Sequence, residues 1–494
     1  MANNADTKGL AKRSFRAASW VLIFQFASQF AQILIGIYMA RLLAPSDYGI
    51  LGLLTIFWSV SHVFINGGFG QALLQRKEVT QTDLSSVFYY NLFLGLVCCA
   101  LMIIAAPWIA RFYHQPILQK TIMVSAWALP IGSLGAVQQV ILGRELKQGF
   151  VTASRLIGIV VSGIIALYLA KLGYGVWALV WQSFIATACG TCFVFIFVRW
   201  IPHLEFSIKS LKSLFRFGSR LLIAGLIEAL FVNINNIFIG KLYTPRILGY
   251  YEQARRYSTL WPLSIQGAIS QVLFPAFSKI QDDLERLKKA FERALNVSVC
   301  AIVFPAYLLC TLSRPFIEII LTPKWLPCIP YMWLLTCSVV LYPIHVLNLQ
   351  VLNSRGRSDL FLRLEIVKKL LAVVSVLVMF LWGIVPMLIA SIAFSLMSAY
   401  LNSYYVGKDL GYTFLKQLNI YIPYVMLSVV SCVISHAVNS VVYMFSPWTG
   451  LILSALAGSA SYCALNMFFC TAAYGEVRLL VISIFEDKNK ISVG

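Results

Sequence analysis

Arg255 and Arg256 fall inside a stretch, near residues 248–274, that is otherwise apolar enough to cross a bilayer. Lys368 and Lys369 do the same near 360–381. Charge at such depth is costly unless it meets water, an anion or a partner. A guanidinium fork grips phosphate oxygens in pairs. Arg255 and Arg256, with Lys368 as a weaker third member, are therefore the expected residues for a phosphorylated ligand in a cationic cavity. Glu365 stands one turn before Lys369 and is placed to pair with it. Local pairing with snorkelling to the interface is the alternative use of these cations. The first half of the chain offers no basic residue at comparable depth.

A second set is neutral. Gln25, Ser28, Gln29 and Gln32 follow an i, i+3, i+4, i+7 spacing and so share one helix face. Two hundred residues on, Glu228 stands where Ser28 does, with Asn235 two turns beyond it. Such groups serve either as hydrogen-bonding glue between helices or as the lining of a water-filled cavity. Their recurrence favours the cavity, lined by Gln25, Gln29, Gln32, Glu228 and Asn235. Glu228, isolated in mid-segment, is the candidate coupling carboxylate. His62 and His345 also lie in apolar segments and read as hydrogen-bonded packing residues. The 11 cysteines form no CxxC or Cys/His ligand set, so no metal site is expected.

The elements that must position these residues are repeated. Residues 15–84 recur without a gap 200 positions later, with roughly 16 identities in about 70 positions. Leu42-x-x-Pro45-x-x-x-Gly49 returns as Leu242-x-x-Pro245-x-x-x-Gly249, and Gln81, Asp83 and Leu84 return as Gln281, Asp283 and Leu284. With a small shift Gly173-Tyr-Gly-Val-Trp faces Leu381-Trp-Gly-Ile-Val, and Arg155 faces Arg363. At the arginine pair the first copy carries the neutral Thr55 and Ile56.

The chain is 60% hydrophobic and 12% charged, which excludes an ordinary soluble domain. Windows long enough to cross the hydrocarbon recur from residue 18 to residue 473 and predict about 14 helices. The expected architecture is an all-α polytopic membrane protein. Two six-helix lobes, 1–200 and 218–406, are related by a parallel pseudo-two-fold, an amphipathic cytoplasmic linker at 201–217 joins them, and helices 13 and 14 with a tail fill 407–494. A second amphipathic helix is expected to start near Asp282 or Asp283. The net charge of +20 does not point to nucleic acid. With the N-terminus in the cytoplasm, roughly 27 Lys and Arg fall on cytoplasmic segments and about 8 opposite, as the positive-inside rule requires. Both termini are then cytoplasmic, and the first apolar segment is a signal anchor.

Leu42-x-x-Pro-x-x-Tyr-Gly49, Gly67-Gly-Phe-Gly-Gln-Ala-Leu-Leu-Gln-Arg-Lys-Glu78 and Val272-Leu-Phe-Pro-Ala-Phe-Ser-Lys-Ile-Gln-Asp-Asp283 resemble bacterial polysaccharide exporters. The last stretch is similar to the colanic acid exporter branch of the Wzx-type flippases, in the multidrug/oligosaccharidyl-lipid/polysaccharide superfamily. The resemblance implies a substrate, an undecaprenyl-diphosphate-linked oligosaccharide repeat unit, moved to the periplasmic leaflet of the bacterial inner membrane for exopolysaccharide, capsule or O-antigen synthesis. It implies basic residues in the cavity, including on the eighth helix, which Arg255 and Arg256 match. It also gives residues 417–473 a place beside the lipid tail, and a polymerase with chain-length machinery as partners. A peptidoglycan-precursor flippase and a cation-coupled multidrug antiporter are the alternatives. The antiporter is disfavoured because Asp6, Asp47, Glu78, Asp83 and Glu145, the acidic groups of the first lobe, sit at termini or loops. A membrane glycosyltransferase is disfavoured because the external loops are short and no nucleotide, metal or nucleophile motif is present. Neither enzymatic activity nor a cofactor is expected.

Overall fold

The computed structural model describes residues 2–66, 69–76, 78–145, 147–476 and 478. Gly67, Gly68 and Lys77 of the second motif above lie outside the described residues, as does the tail at 477 and 479–494. Among the described residues the long helices, in chain order, are α1 (Ala2–Leu42), α2 (Pro45–Asn66), α3 (Gln81–Phe112), α4 (Pro116–Arg144, in three pieces), α5 (Gln148–Lys171), α6 (Val176–Val198), α7 (Ile208–Val232 continued by Ile234–Leu242), α8 (Pro245–Lys279), α9 (Leu284–Thr311), α10 (Pro323–Ser354, opening on a 3-10 turn), α11 (Ser358–Trp382), α12 (Ile384–Leu410), α13 (Phe414–Val442) and α14 (Pro447–Phe468).

Each expected apolar segment coincides with one of these helices. Eleven are long and apolar enough to cross a membrane, and the two pieces of α7, bent by 41°, make a twelfth. The two that fall short, α8 and α11, are helical throughout but carry Arg255 and Arg256, and Glu365, Lys368 and Lys369. Large apolar side chains such as Phe26, Phe93, Ile164 and Met426 are exposed, while Asn91, Gln138, Asn348 and Gln417 are buried. That inversion is what a lipid solvent selects. The chain is a multi-pass all-α membrane protein.

Local rules set the helix ends, and they act alike in both copies of the repeat. α1 stops at Leu42 and α2 opens on Pro45; α7 stops at Leu242 and α8 opens on Pro245. Proline at the first helical position donates no N–H where none is needed. Thr80 and Asp83 close a capping box at the start of α3, each side chain accepting the other's backbone N–H. Asp283 caps α9 by accepting from the Arg286 N–H at 3.0 Å, at the position expected for a second amphipathic start. α6 and α12 are each entered through a glycine with positive φ, Gly175 at 55° and Gly383 at 99°. This is the same pair that the shifted alignment superposed, and only glycine takes that backbone cheaply.

The connector at 199–217 departs from its expected form. It is not a separate surface helix. Residues 200–207 run without helix, and from Ile208 the amphipathic turns continue unbroken into the apolar part of α7. No proline interrupts them. The connector is strapped to the start of α3: the Trp200 Nε1–H donates to Gln81 Oε1 (2.8 Å), the His203 N–H to Ser85 Oγ (3.0 Å) and the Ser207 N–H to Ser86 Oγ (2.9 Å). Ser210 Oγ closes the set on the Asp83 carboxylate.

The chain divides into two compact units, Met1–Gly249 and Tyr250–Gly494. In the first, α5 packs between α1 and α6. Small residues allow the approach: a methyl group on Gly163 would lie 2.2 Å from Ile35 Cδ1, and one on Gly158 2.7 Å from the Ala186 carbonyl oxygen. The opening turns of α2 and α8 cross in the same unit. A methyl on Gly49 would lie 1.8 Å from the Pro245 oxygen, and one on Gly249 1.8 Å from the Pro45 oxygen. Each copy's glycine thus sits beneath the other copy's proline. In the second unit α13 packs on α14 and α9, and α12 on α10 and α11, around Phe277, Phe291, Leu295, Val351 and Tyr424.

Candidate functional site

The polar face of α1 lines a cavity. Gln25, Ser28, Gln29 and Gln32 meet Gln148, Thr152 and Arg155 of α5 around a space of about 320 Å³. Gln32 and Arg155 also line a neighbouring space of about 420 Å³, with His62 of α2, Gln139 of α4, and Thr187 and Thr191 of α6. The two share Gln32, Val151, Arg155 and Ile159 as lining residues and so lie side by side. No carboxylate is among the lining residues of either space. Local bonds keep the small hydroxyls quiet: Ser28 Oγ donates to the Phe24 carbonyl at 2.7 Å and Thr152 Oγ1 to that of Gln148 at 2.8 Å. The glutamine amides are each both donor and acceptor.

Arg155 is the cation that the first half brings to the polar face of α1, exposed in the groove. It lies about 10 Å along α5 from Gln148. One signal was available, its alignment with Arg363.

Glu228 and Asn235 sit on the two pieces of α7, on either side of Asn233. The bend there separates what the sequence reads as one continuous face. Glu228 is exposed and Asn235 half-buried, and neither lines the two spaces above. The break has a local cause: the Asn233 Nδ2–H donates to the Ala229 carbonyl at 2.8 Å, offering the backbone an alternative to the helical ladder. The next asparagine, Asn236, is buried and reaches the Gly52 carbonyl at 3.5 Å; sequence reasoning passed over it.

In the second unit the cations are met by carboxylates of their own helices. Arg255 Nη2 stands 3.1 Å from Glu252 Oε2, an i, i+3 partner that the spacing offered and the sequence reading missed. Arg256 is half-buried. Glu365, expected beside Lys369, is bonded to Lys368. Nearby, Ser395 Oγ donates to the Ser338 carbonyl at 2.9 Å. Its single proton is then used, so His345 Nε2–H donates to Ser395 Oγ at 3.1 Å, and His345 Nδ1 accepts from Asn402 Nδ2 at 3.4 Å. Both ring nitrogens are satisfied in a neutral imidazole, which suits the packing role expected of His345.

Residues 38–330 match the family described as "Polysaccharide biosynthesis protein". Among curated relatives, the lipopolysaccharide biosynthesis protein WzxC of Escherichia coli K12 is 25% identical over 352 residues, covering 69% of this chain and 70% of the relative. The teichuronic acid biosynthesis protein TuaB of Bacillus subtilis is 24% identical over 356 residues, 71% and 73% of the two chains. Among solved structures, the lipid II flippase MurJ in an inward closed conformation aligns with a TM-score of 0.72 at 14% identity, covering 91% of this chain and 98% of that one. At that identity the likeness concerns the fold.

Proposed function

The chain belongs to the polysaccharide biosynthesis protein family, and from that premise we propose that it is a flippase for undecaprenyl-diphosphate-linked oligosaccharide repeat units, working by alternating access. The observation that carries this reading is the groove of glutamine amides around Arg155 inside an otherwise apolar bundle. A lipid head group of sugars needs such a surface to leave one leaflet and reach the other. In this reading the sugars occupy the face of Gln25, Gln29 and Gln32, and Glu228 and Asn235 on α7 serve a separate part of the path. The diphosphate is taken by Arg255, Arg256 and Lys368.

Glu252 and Glu365 pair with two of those cations. A cation already neutralised on its own helix costs less at depth than a bare one, and an incoming diphosphate displaces the carboxylate. Glu228 is the coupling group. The protein lies in the bacterial inner membrane with both termini in the cytoplasm. α13 and α14 flank the lipid tail, and the flipped unit passes to a polymerase and its chain-length machinery.

Complementation of a flippase-deficient strain tests the assignment. The Arg255→Ala/Arg256→Ala variant should insert at normal level and export nothing, while Arg→Lys at either position keeps the charge, loses the fork and exports in part. Full export by the double alanine variant would remove the cationic site.

A further inference from the structure

The segment that joins α6 to α7 has two unlike faces. The inner one is bonded. Trp200, His203, Ser207 and Ser210 meet the head of α3 as described above, and the Thr82 hydroxyl donates to Glu205 Oε2 at 2.6 Å. Leu214 is buried in one cluster with Phe69 and Leu73, with Leu211 packed against it. The outer face is apolar and bare. Leu204 is 97% exposed, and Ile201, Phe206 and Ile208 are exposed as well. A contiguous apolar patch of this kind marks a surface that something covers.

Three observations say what covers it. The first is position. Ile196 and Phe197, in the last turn of the membrane-crossing α6, are exposed just ahead of the patch, and Ile208 opens the unbroken run into α7. Residues 200–207 are also bonded to Gln81–Ser86, the first turns of another crossing helix. The patch is thus held level with one leaflet by three elements and continues the lipid-facing side of α6. The second is charge. Arg199, Lys209 and Lys212 are exposed around it, and Lys212 stands one turn beyond Ile208 on the same helix face. The third is that the carboxylates nearby are turned inward. Glu205 accepts from Thr82, and Asp83 accepts from Ser210 and stands 3.1 Å from Arg76. A bare apolar strip edged with basic residues fits the boundary between acyl chains and anionic head groups.

We infer that residues 199–212 form a leaflet anchor selective for anionic glycerophospholipids. Ile201, Leu204, Phe206 and Ile208 enter the acyl boundary. Arg199, Lys209 and Lys212 hold the lipid phosphates. The strap then fixes the start of α7 to α3 with one face and to the leaflet with the other. None of these residues is among those assigned to the substrate above, so the anchor and the transport reading stand or fall separately.

The test replaces Leu204 of the full chain by the photoreactive p-benzoylphenylalanine, reconstitutes the protein in vesicles and activates the probe with light. The main product should be the protein carrying one phospholipid, read as a mass shift. Each basic residue near the surface favours an anionic lipid roughly fivefold, so in phosphatidylcholine vesicles holding about one fifth phosphatidylglycerol the latter should supply about half of the adducts or more. Adding Lys209→Gln/Lys212→Gln should lower that share towards the bilayer's own. These side chains are exposed and make none of the strap's bonds, so the variants keep the fold. Absence of a lipid adduct overturns the anchor, and so does capture of a protein in place of lipid when the same probe is irradiated in cells. A phosphatidylglycerol share equal to the bilayer's, or one that the double glutamine variant does not move, overturns the anionic selectivity.

Discussion

α2 and α8 begin as copies and then part. Both open on proline after a Leu-x-x-Pro-x-x-x-Gly turn, and both use the glycine for a backbone crossing that no side chain would allow. Two turns on, α2 carries Thr55, whose hydroxyl turns back to the Gly52 carbonyl at 2.7 Å, and Ile56, which is buried. At the same places α8 carries Arg255, paired with Glu252, and Arg256. Among the described residues α2 is long and apolar enough to cross a bilayer, and α8 carries two arginines within it. The duplication has kept what the backbone needs and released what the side chains do. Symmetry belongs to the scaffold and asymmetry to the chemistry.

The largest test of that division rewrites α8 in the image of α2. Arg255→Thr/Arg256→Ile removes two charges from the membrane, so the protein should insert at least as well as the wild type. Export should fall by at least about 100-fold, the cost of truncating a charge-assisted contact to a buried ligand. Preserved export with normal protein level would make the arginines a scaffold feature after all.

Next comes the crossing. Gly49→Ala and Gly249→Ala each drive a methyl into a proline carbonyl that is backbone and cannot rotate away. Each should cost about 3 kcal/mol or more, read as loss of thermal stability of the purified protein in detergent. The two losses should agree within about 0.5 kcal/mol, the scatter expected of equivalent sites. A large loss at one glycine and none at the other would break the symmetry claim. The smallest effect belongs to the quiet side. Thr55→Val gives up only a hydroxyl bonded within its own helix, so stability should move by less than about 0.5 kcal/mol and export should stay at the wild-type level.

Much of the fold was legible because its signals are local. Apolar windows marked every long helix, Asp283 marked the start of α9, and the glycine pairing at 175 and 383 survived a shifted alignment. What escaped depended on a residue's surroundings. Arg155 was passed over because Gln148 and Thr152, polar themselves, blur where α5 begins. The break in α7 carries neither proline nor glycine and comes from one asparagine amide turned onto the backbone. Glu252 was visible at the right spacing, but the reading weighed Arg255 against lipid and anions before its own helix. In Glu365 the partner was right and the lysine wrong, because i+3 and i+4 neighbours are equally near on a helix surface and packing chooses between them.

The strap of Trp200, His203, Ser207 and Ser210 onto the head of α3 also bears on how the molecule is made. Its two sides are separated by 118 to 127 residues. At a synthesis rate of about 5–20 residues per second, the platform at Gln81–Ser86 leaves the ribosome roughly 6–25 s before its partner. The seventh helix, with a carboxylate in its middle and a break at Asn233, therefore follows a strap whose platform has already been made. Birth order gives the second copy a platform that the first copy never had.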